Sequence, residues 1–292
     1  MTATQLEPGL RRITAPNPSP MTFQGTNTFL VGETALAVID PGPLSEPHMN
    51  AILAAVGPGQ RISHILVTHS HVDHSPLAKP LSEATGAPVM AAGASDWGRS
   101  PAMKALAAGG LIGGGEGVDP DFAPDILLPD GARVEGDGWR IEALHTPGHM
   151  ANHLSFAWNG ALFCGDLVMG WSTSLISPPD GDLTAFRASL TRLIARRDRI
   201  YYPAHGEAIT EPAARCRELL DHRAGREVQI LDALSEGPAT PGALTARIYH
   251  DLDARLLPVA ERNVLAHLID LTERNLAHPE GNLAATARFA LI

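Results

Sequence analysis

Four side chains able to bind a metal, His69, His71, Asp73 and His74, stand in one six-residue segment directly after the apolar run Ile65-Leu66-Val67-Thr68. A short apolar run of this kind reads as a strand, so the four sit in the loop where that strand meets the next helix. Strand ends present residues to a cleft, and the chain must therefore fold so that other strand ends gather around this one. Neutral imidazole suits zinc and similar borderline metals, and a carboxylate beside it offsets charge. Four ligands so close together exceed the need of one catalytic ion that keeps an open position, which suggests ligands shared between two ions. Three further segments supply the remainder: His145-Thr146-Pro147-Gly148-His149, Gly165-Asp166 and Pro203-Ala204-His205-Gly206. Each lies where an apolar run meets a turn. Any one of them alone reads as a structural turn with an incidental histidine; four in one chain do not.

The 292 residues are 44% hydrophobic and 18% charged, an ordinary globular composition that can bury a full core. Strands are expected at 28–32, 35–40, 62–68, 88–90, 139–144, 154–158, 161–164 and 199–203, the hairpin joint falling at Asn159-Gly160. Helices are expected at 47–56, from Ser75 to Thr85 opening on Pro76, near 103–107, and after the cap Asp182 as far as Ala195. The Gly- and Pro-rich stretch 93–129 reads otherwise as a loop or lid. Beyond Pro212 strand signals stop and helical patterns follow at 212–235, 240–249 and 253–275, so a second domain is expected, with a division into 1–213 and 214–292. The net charge of −10 weighs against a polyanionic partner. The tail carries nine basic and eleven acidic residues, a balance of −2, with no basic face. No stretch is apolar enough to span a bilayer or serve as a signal peptide, and a cytoplasmic location is the expectation. Cys164 and Cys216 suggest neither a disulfide framework nor a metal clip.

Taken together, His69-x-His71-x-Asp73-His74, Thr146-Pro147-Gly148-His149, Gly165-Asp166 and His205-Gly206 resemble the ordered motifs of the metallo-β-lactamase-fold hydrolases, over roughly residues 25–210. The resemblance implies a four-layer αββα sandwich with the metal site at one edge of its two sheets. It also implies that His69, His71 and His149 hold one metal, that Asp73, His74 and His205 hold a second, and that Asp166 bridges them. Two Zn2+ ions are the expected cofactor, with iron or manganese as alternatives. Asp73 and Asp166 are the expected catalytic carboxylates, and a hydroxide between the metals would attack an electrophilic carbonyl or phosphorus centre. Asp166 stands where true zinc β-lactamases carry another residue, which argues against antibiotic hydrolysis. His71 stands where the oxygen-reducing diiron relatives have glutamate, which favours hydrolysis over redox chemistry. The tail resembles the winged-helix-like domain of the β-lactamase-like protein 2 branch, through His222-Arg223 and Asn263-Val264-Leu265-Ala266-His267-Leu268.

The leading expectation is thus a dinuclear zinc hydrolase of a small ester, thioester or related substrate. The second is an endoribonuclease of the same fold, with RNA as partner. A third is a non-catalytic binding module that works through the tail, against which all seven ligand positions speak. For the tail, packing or dimerisation on Leu219, Leu220, Leu231 and Leu234 is favoured over nucleic-acid binding, and a homodimer is one outcome. His145 and His153 are either outer donors to the site or plain turn histidines. Trp171-Ser172-Thr173-Ser174 and Tyr202 could line the cleft, but a plain polar loop is the preferred reading of the first. His48, His64, His222, His250, His267 and His278 are assigned to structure, and Cys164 to the core.

Overall fold

Side chains of the first strands alternate between two buried destinations, and that alternation is what layers the molecule. In the computed structural model, which describes residues 1–115 and 117–292, β1 (Thr4–Glu7), β2 (Leu10–Thr14), β3 (Asn27–Val31) and β4 (Ala35–Ile39) form an antiparallel meander. Phe29, Val31, Ala37 and Ile39 enter one core, while Leu30, Leu36 and Val38 enter another on the opposite face. After α1 (Glu46–Ala54) the chain runs through β5 (Arg61–Leu66), α2 (Ala78–Thr85), β6 (Val89–Ala91), α3 (Pro101–Ala108) and β7 (Ile126–Leu127). Strands β5 to β7 extend the sheet in parallel, giving seven strands in sequence order.

The second sheet comprises β8 (Arg133–Gly136), β9 (Trp139–His145), β10 (Leu154–Trp158), β11 (Ala161–Gly165) and, after α4 (Leu183–Arg196), β12 (Ile200–Pro203). Its order is β12-β11-β10-β9-β8, antiparallel except for the parallel pair β11 and β12. Asn159 and Gly160 join β10 to β11 with φ of 48° and 72°, the two left-handed residues that a tight hairpin turn needs. The sheets face each other across a core that includes Phe29, Ile39, Ile141, Phe156 and Phe163. Ile52 of α1 and Leu81 of α2 pack on the outside of the first sheet; Phe186 and Leu190 of α4 pack on the outside of the second. This is the expected αββα sandwich.

The tail comprises α5 (Pro212–Ser235), α6 (Pro241–Ile248), a 3-10 turn at Ala254–Leu256, α7 (Leu257–Glu273), β13 (Ala277–Pro279) and β14 (Phe289–Leu291). Helix α5 serves two cores: Cys216 and Leu219 pack with Leu190 and Tyr201, whereas Ile230 and Leu234 pack with Val264 and Leu268 of α7. A charged cluster of Arg187 (α4), Glu227 (α5), and Asp270 and Arg274 (α7) ties the three helices together, with Arg187 to Asp270 at 3.2 Å and Arg274 to Glu227 at 2.7 Å. No described helix is long and apolar enough to cross a membrane.

Several sequence expectations need correction. Strand signals do not stop at Pro212: β13 pairs antiparallel with β14, but each is only three residues long and β13 contains Pro279, so neither shows a period. Strands β1, β2 and β8 are short and rich in polar residues, and were not expected. Helix α2 begins at Ala78, not Ser75: the Ala78 amide donates to the Ser75 carbonyl at 2.8 Å in a 3-10-type turn, and the Leu77 amide donates out to the Gly42 carbonyl at 3.2 Å. The stretch 93–129 contains, besides the expected short helix, seen as α3, the two-residue strand β7; Glu116 within it lies outside the described residues.

Candidate metal centre

The site lies at the edge where both sheets deliver strand ends. His69 to His74 follow β5, His149 lies between β9 and β10, Asp166 follows β11, and His205 follows β12. Hydrogen bonds lock these ends together across the sandwich: the Leu154 amide donates to the Thr68 carbonyl at 2.7 Å, and the Asn27 amide donates to the Ala204 carbonyl at 2.7 Å. Asn27 also donates through its side chain to the carbonyls of Pro203 (3.1 Å) and Gly206 (2.9 Å). The segment 117–119 is laced onto the histidine run, with the Val72 amide on the Gly117 carbonyl (3.1 Å) and the Asp119 amide on the Ser70 carbonyl (2.8 Å).

All seven residues singled out in the sequence come together here. Ligand atoms of His69, His71, His149 and Asp166 lie within 4.8 Å of one another, as do those of Asp73, His74 and His205. Nε2 of His69 and Nε2 of His149 each lie 3.0 Å from Nδ1 of His71. Asp166 reaches both groups, 3.6 Å from Nε2 of His149 and of His74 and 3.3 Å from Nε2 of His205. Asp73 lies 3.2 Å from Nε2 of His205 and 3.3 Å from Nε2 of His74.

Four of the imidazoles are held from behind, so that one nitrogen faces the centre. Nδ1 of His69 pairs with the Thr68 hydroxyl (2.9 Å), of His74 with Asp40 (3.0 Å), of His149 with the Leu175 carbonyl (2.8 Å) and of His205 with the Gly25 carbonyl (3.2 Å). Such outer partners fix ring orientation and tautomer at metal sites. Nε2 of His74 and Oδ1 of Asp166 are buried with no hydrogen-bond partner. Buried polar atoms normally have one, and a cation would satisfy both. The residues present therefore fit a pair of divalent metal ions.

The charge balance points the same way. Burial is the largest influence on every group. It pushes His71 down to about 3 and His69 well below the ordinary imidazole value, so both are neutral donors. Burial also disfavours charge on His74 and His205, yet the carboxylates prevail: Asp73, Asp166 and Asp40 hold His74 well above its ordinary value, and Asp166 and Asp73 raise His205 to about 10. Burial would raise Asp73 and Asp166, but the same imidazoles hold both low. In protein stripped of metal by a chelator, the raised His205 contributes stability that is complete below about pH 6.5, the unfolded value, and is lost as pH rises toward 10. The thermal midpoint of stripped protein is expected to fall between pH 6.5 and 10. A flat profile over that range would remove the charge assignment.

Asp40 was missed in the sequence. It follows β4 with φ of 50°, accepts the Thr68 amide and hydroxyl at 2.7 Å each, and holds His74. Its signal was available: Asp40-Pro41-Gly42 ends an apolar run just as the other site segments do. Asp40→Asn is expected to weaken metal binding about 10- to 100-fold, the usual cost of losing an outer partner. Competition against a chelator measures it, and unchanged affinity would count against this role.

A cavity of about 310 Å³ opens onto the centre, with His71, Asp73, His149, Asp166 and His205 in its lining. Trp171, Ser172 and Thr173 also line it, which corrects the preferred reading of that segment as a plain polar loop. Tyr202 does not; it is buried between the sheets with Phe29 and Phe163. His145 bonds the Ala151 carbonyl and meets the edge of Trp97, and His153 is buried between Thr146 and the His69 ring; neither lines the cavity. Cys164 and Cys216 are buried free thiols. The tail reaches the cavity through Leu256, Val259 and Asn263, which nothing in the sequence announced.

The model of the metallo-beta-lactamase superfamily matches residues 21–205, and that of the beta-lactamase associated winged helix domain matches 240–285. The chain is 31% identical over 278 residues to a beta-lactamase-like protein 2 homolog of Drosophila melanogaster, covering 92% of this chain and 89% of that one. It is 32% identical over 238 residues to an atrochrysone carboxyl ACP thioesterase of Aspergillus chevalieri, covering 80% and 68%. The crystal structure of a metallo-beta-lactamase family protein from Thermus thermophilus superposes with a TM-score of 0.78 at 26% identity, covering 99% of this chain and all of that one. With its paired His/Asp clusters and its winged-helix tail, the chain belongs to the metallo-beta-lactamase superfamily and is a metal-dependent hydrolase of that fold, similar to the beta-lactamase-like protein 2 homologues.

Proposed function

We propose that this chain hydrolyses small carboxylic thioesters or esters with a dinuclear zinc centre, His69, His71 and His149 holding one ion, Asp73, His74 and His205 the other, and Asp166 lying between them. The observation that carries this reading is the convergence of all seven donors at one confined cavity of about 310 Å³, with His71, Asp73, His149, Asp166 and His205 in its lining. That volume lies at the lower end for small-ligand sites. A donor set of five imidazoles and two carboxylates suits zinc.

Bound at these residues, the two ions would supply an acidified water and a polarised substrate carbonyl. The protein's own part is to place and balance them. Asp166, within reach of both imidazole groups, supplies negative charge where the two cations would otherwise repel. Asp73 faces the cavity beside His205; in this reading its carboxylate takes a proton from the attacking water and passes it to the leaving thiolate or alkoxide. The cavity confines the substrate and limits competing bulk water. The relative named as an acyl carrier protein thioesterase supports thioesters within this class.

A panel of thioesters, esters, lactones, phosphodiesters and single-stranded RNA, each with zinc added, tests the reading with His71→Ala as control. Turnover of thioesters or esters that His71→Ala abolishes is expected. RNA cleavage that the substitution abolishes, without ester turnover, would replace this proposal with a ribonuclease.

A further inference from the structure

We infer that the cavity selects an uncharged, medium-length apolar acyl group and that the winged-helix tail builds one of its walls, an inference that rests on the hydrolase reading above. Away from the metal-facing residues, the apolar part of the wall is Met21, Met169, Trp171, Leu175, Leu256 and Val259, drawn from three separate parts of the chain, with Ser172, Thr173 and Asn263 as its uncharged polar part. Leu256 closes the 3-10 turn and Val259 lies in the first turn of α7, so the tail is part of the site. Phe23, outside the lining, stacks on Trp171 with ring centroids 4.9 Å apart and planes 19° apart, and the two remain 44% and 37% exposed. Leu256 is 41% exposed. Exposed aromatic and aliphatic groups gathered around the opening of a cavity mark a site for an apolar ligand.

Charge is as informative as shape. No lysine or arginine lines the cavity among the described residues. Two arginines that bond wall residues from behind are engaged by those bonds. Arg215 donates to the carbonyls of Met169 (2.8 Å) and Ser172 (2.6 Å), and Arg223 donates to Asn263 Oδ1 (3.0 Å) and to the Ser174 carbonyl. These bonds hold the Trp171 loop against α5 and α7 and leave no cationic fork for a phosphate or carboxylate. An anionic acyl group would meet no cationic side chain on the walls, whereas each methylene placed against their apolar part gains roughly three- to fourfold in binding. At about 30 Å³ per water-sized atom, the space admits on the order of ten such atoms, which, with the carbonyl oxygen and the sulfur counted, suits an acyl chain of about six to eight carbons.

The chemistry balances as simple hydrolysis. The water oxygen adds to the acyl carbon, the C–S bond breaks with its electron pair going to sulfur, and the thiolate takes up a proton, leaving a carboxylic acid and a thiol.

The test uses the full zinc-loaded chain and the N-acetylcysteamine thioesters of acetate, hexanoate, octanoate and succinate, with a single-stranded oligoribonucleotide alongside. Wild-type kcat/KM is expected to rise at least tenfold from acetyl to octanoyl and to be lowest for succinyl. Val259→Trp, which shortens the chamber, and Leu256→Asp, which charges its rim, should each cut the octanoyl-to-acetyl ratio at least fivefold while both proteins bind metal normally. Leu256 is exposed, so its substitution does not threaten folding. A flat chain-length profile, a preference for succinyl, or a ratio that neither variant changes would overturn this inference and leave the hydrolase reading standing. Cleavage of the oligoribonucleotide with no thioester turnover, or turnover of nothing in the set, would sink both.

Discussion

Asp166→Asn in the zinc-loaded protein is expected to lower kcat/KM for a thioester by about 10³-fold and to reduce bound metal from two equivalents toward one. Asp166 is the carboxylate that reaches both groups of imidazoles, 3.6 Å from His149 and His74 and 3.3 Å from His205. The amide keeps the side chain's shape but removes its charge, and turns two N–H donors toward a place built for cations. Two divalent ions held close together without that charge repel each other, and the loss of either removes several kcal/mol of stabilisation from the developing negative charge. The much smaller effect expected at Asp40 reflects its place behind His74, where it orients a ligand and does not face both groups. Metal analysis together with steady-state kinetics decides the point. Full metal content with near-normal turnover would show that Asp166 does not bridge.

Gly148→Ala should destabilise the protein by about 3 kcal/mol or more and lower its thermal midpoint by on the order of 10 °C. Gly148 has φ of 150°, and a Cβ built there would lie 2.5 Å from Cα and 2.8 Å from the backbone nitrogen of Phe186 in α4. Backbone cannot give way as a flexible side chain can, so helix α4 would have to move. The Gly148 carbonyl also accepts the Asp182 amide at 2.8 Å, at the cap of that helix, and the displacement would carry to His149. Gly59→Ala is the control: its φ of 77° is also positive, but nothing lies within 4 Å. A cost of about 1 kcal/mol is expected there. Equal costs at the two positions would mean that backbone strain, and not the approach of α4, explains the glycine.

The candidate ligand set was legible in the sequence because metal chemistry restricts residue type so severely. Few side chains can bind zinc, and His69, His71, Asp73 and His74 stand together within six residues, a spacing that is read directly from the chain. Strands such as β4 and β11, buried throughout, were legible as continuous apolar runs. Helix α4 was legible through Asp182, whose carboxylate accepts the Ala185 amide at 3.0 Å. Strands β13 and β14 were not, since three residues are too few to display a period and their pairing is settled by contact with each other. Asp40 was overlooked for a different reason. Its three hydrogen bonds go to residues some thirty positions away, and a lone aspartate after a strand reads first as a turn.

Trp171, Leu256 and Val259 mark the boundary between the two kinds of information. As a sequence, Trp171-Ser172-Thr173-Ser174 is an ordinary polar loop, and Val259 is one more apolar residue near a helix start. They become walls of a cavity only because Arg215 and Arg223 bind the loop's carbonyls and the Arg187, Glu227, Asp270 and Arg274 cluster presses α7 against the catalytic sandwich. The sequence by itself determined most of the strands and the candidate metal ligands, because burial and ligand chemistry act through residue type and short spacing, and the layered αββα architecture followed from the resemblance that those ligand motifs carry. Only the tertiary structure decided which face of the tail meets the centre and what lines the space above it, because those contacts join residues far apart in the chain whose local patterns do not specify the partner.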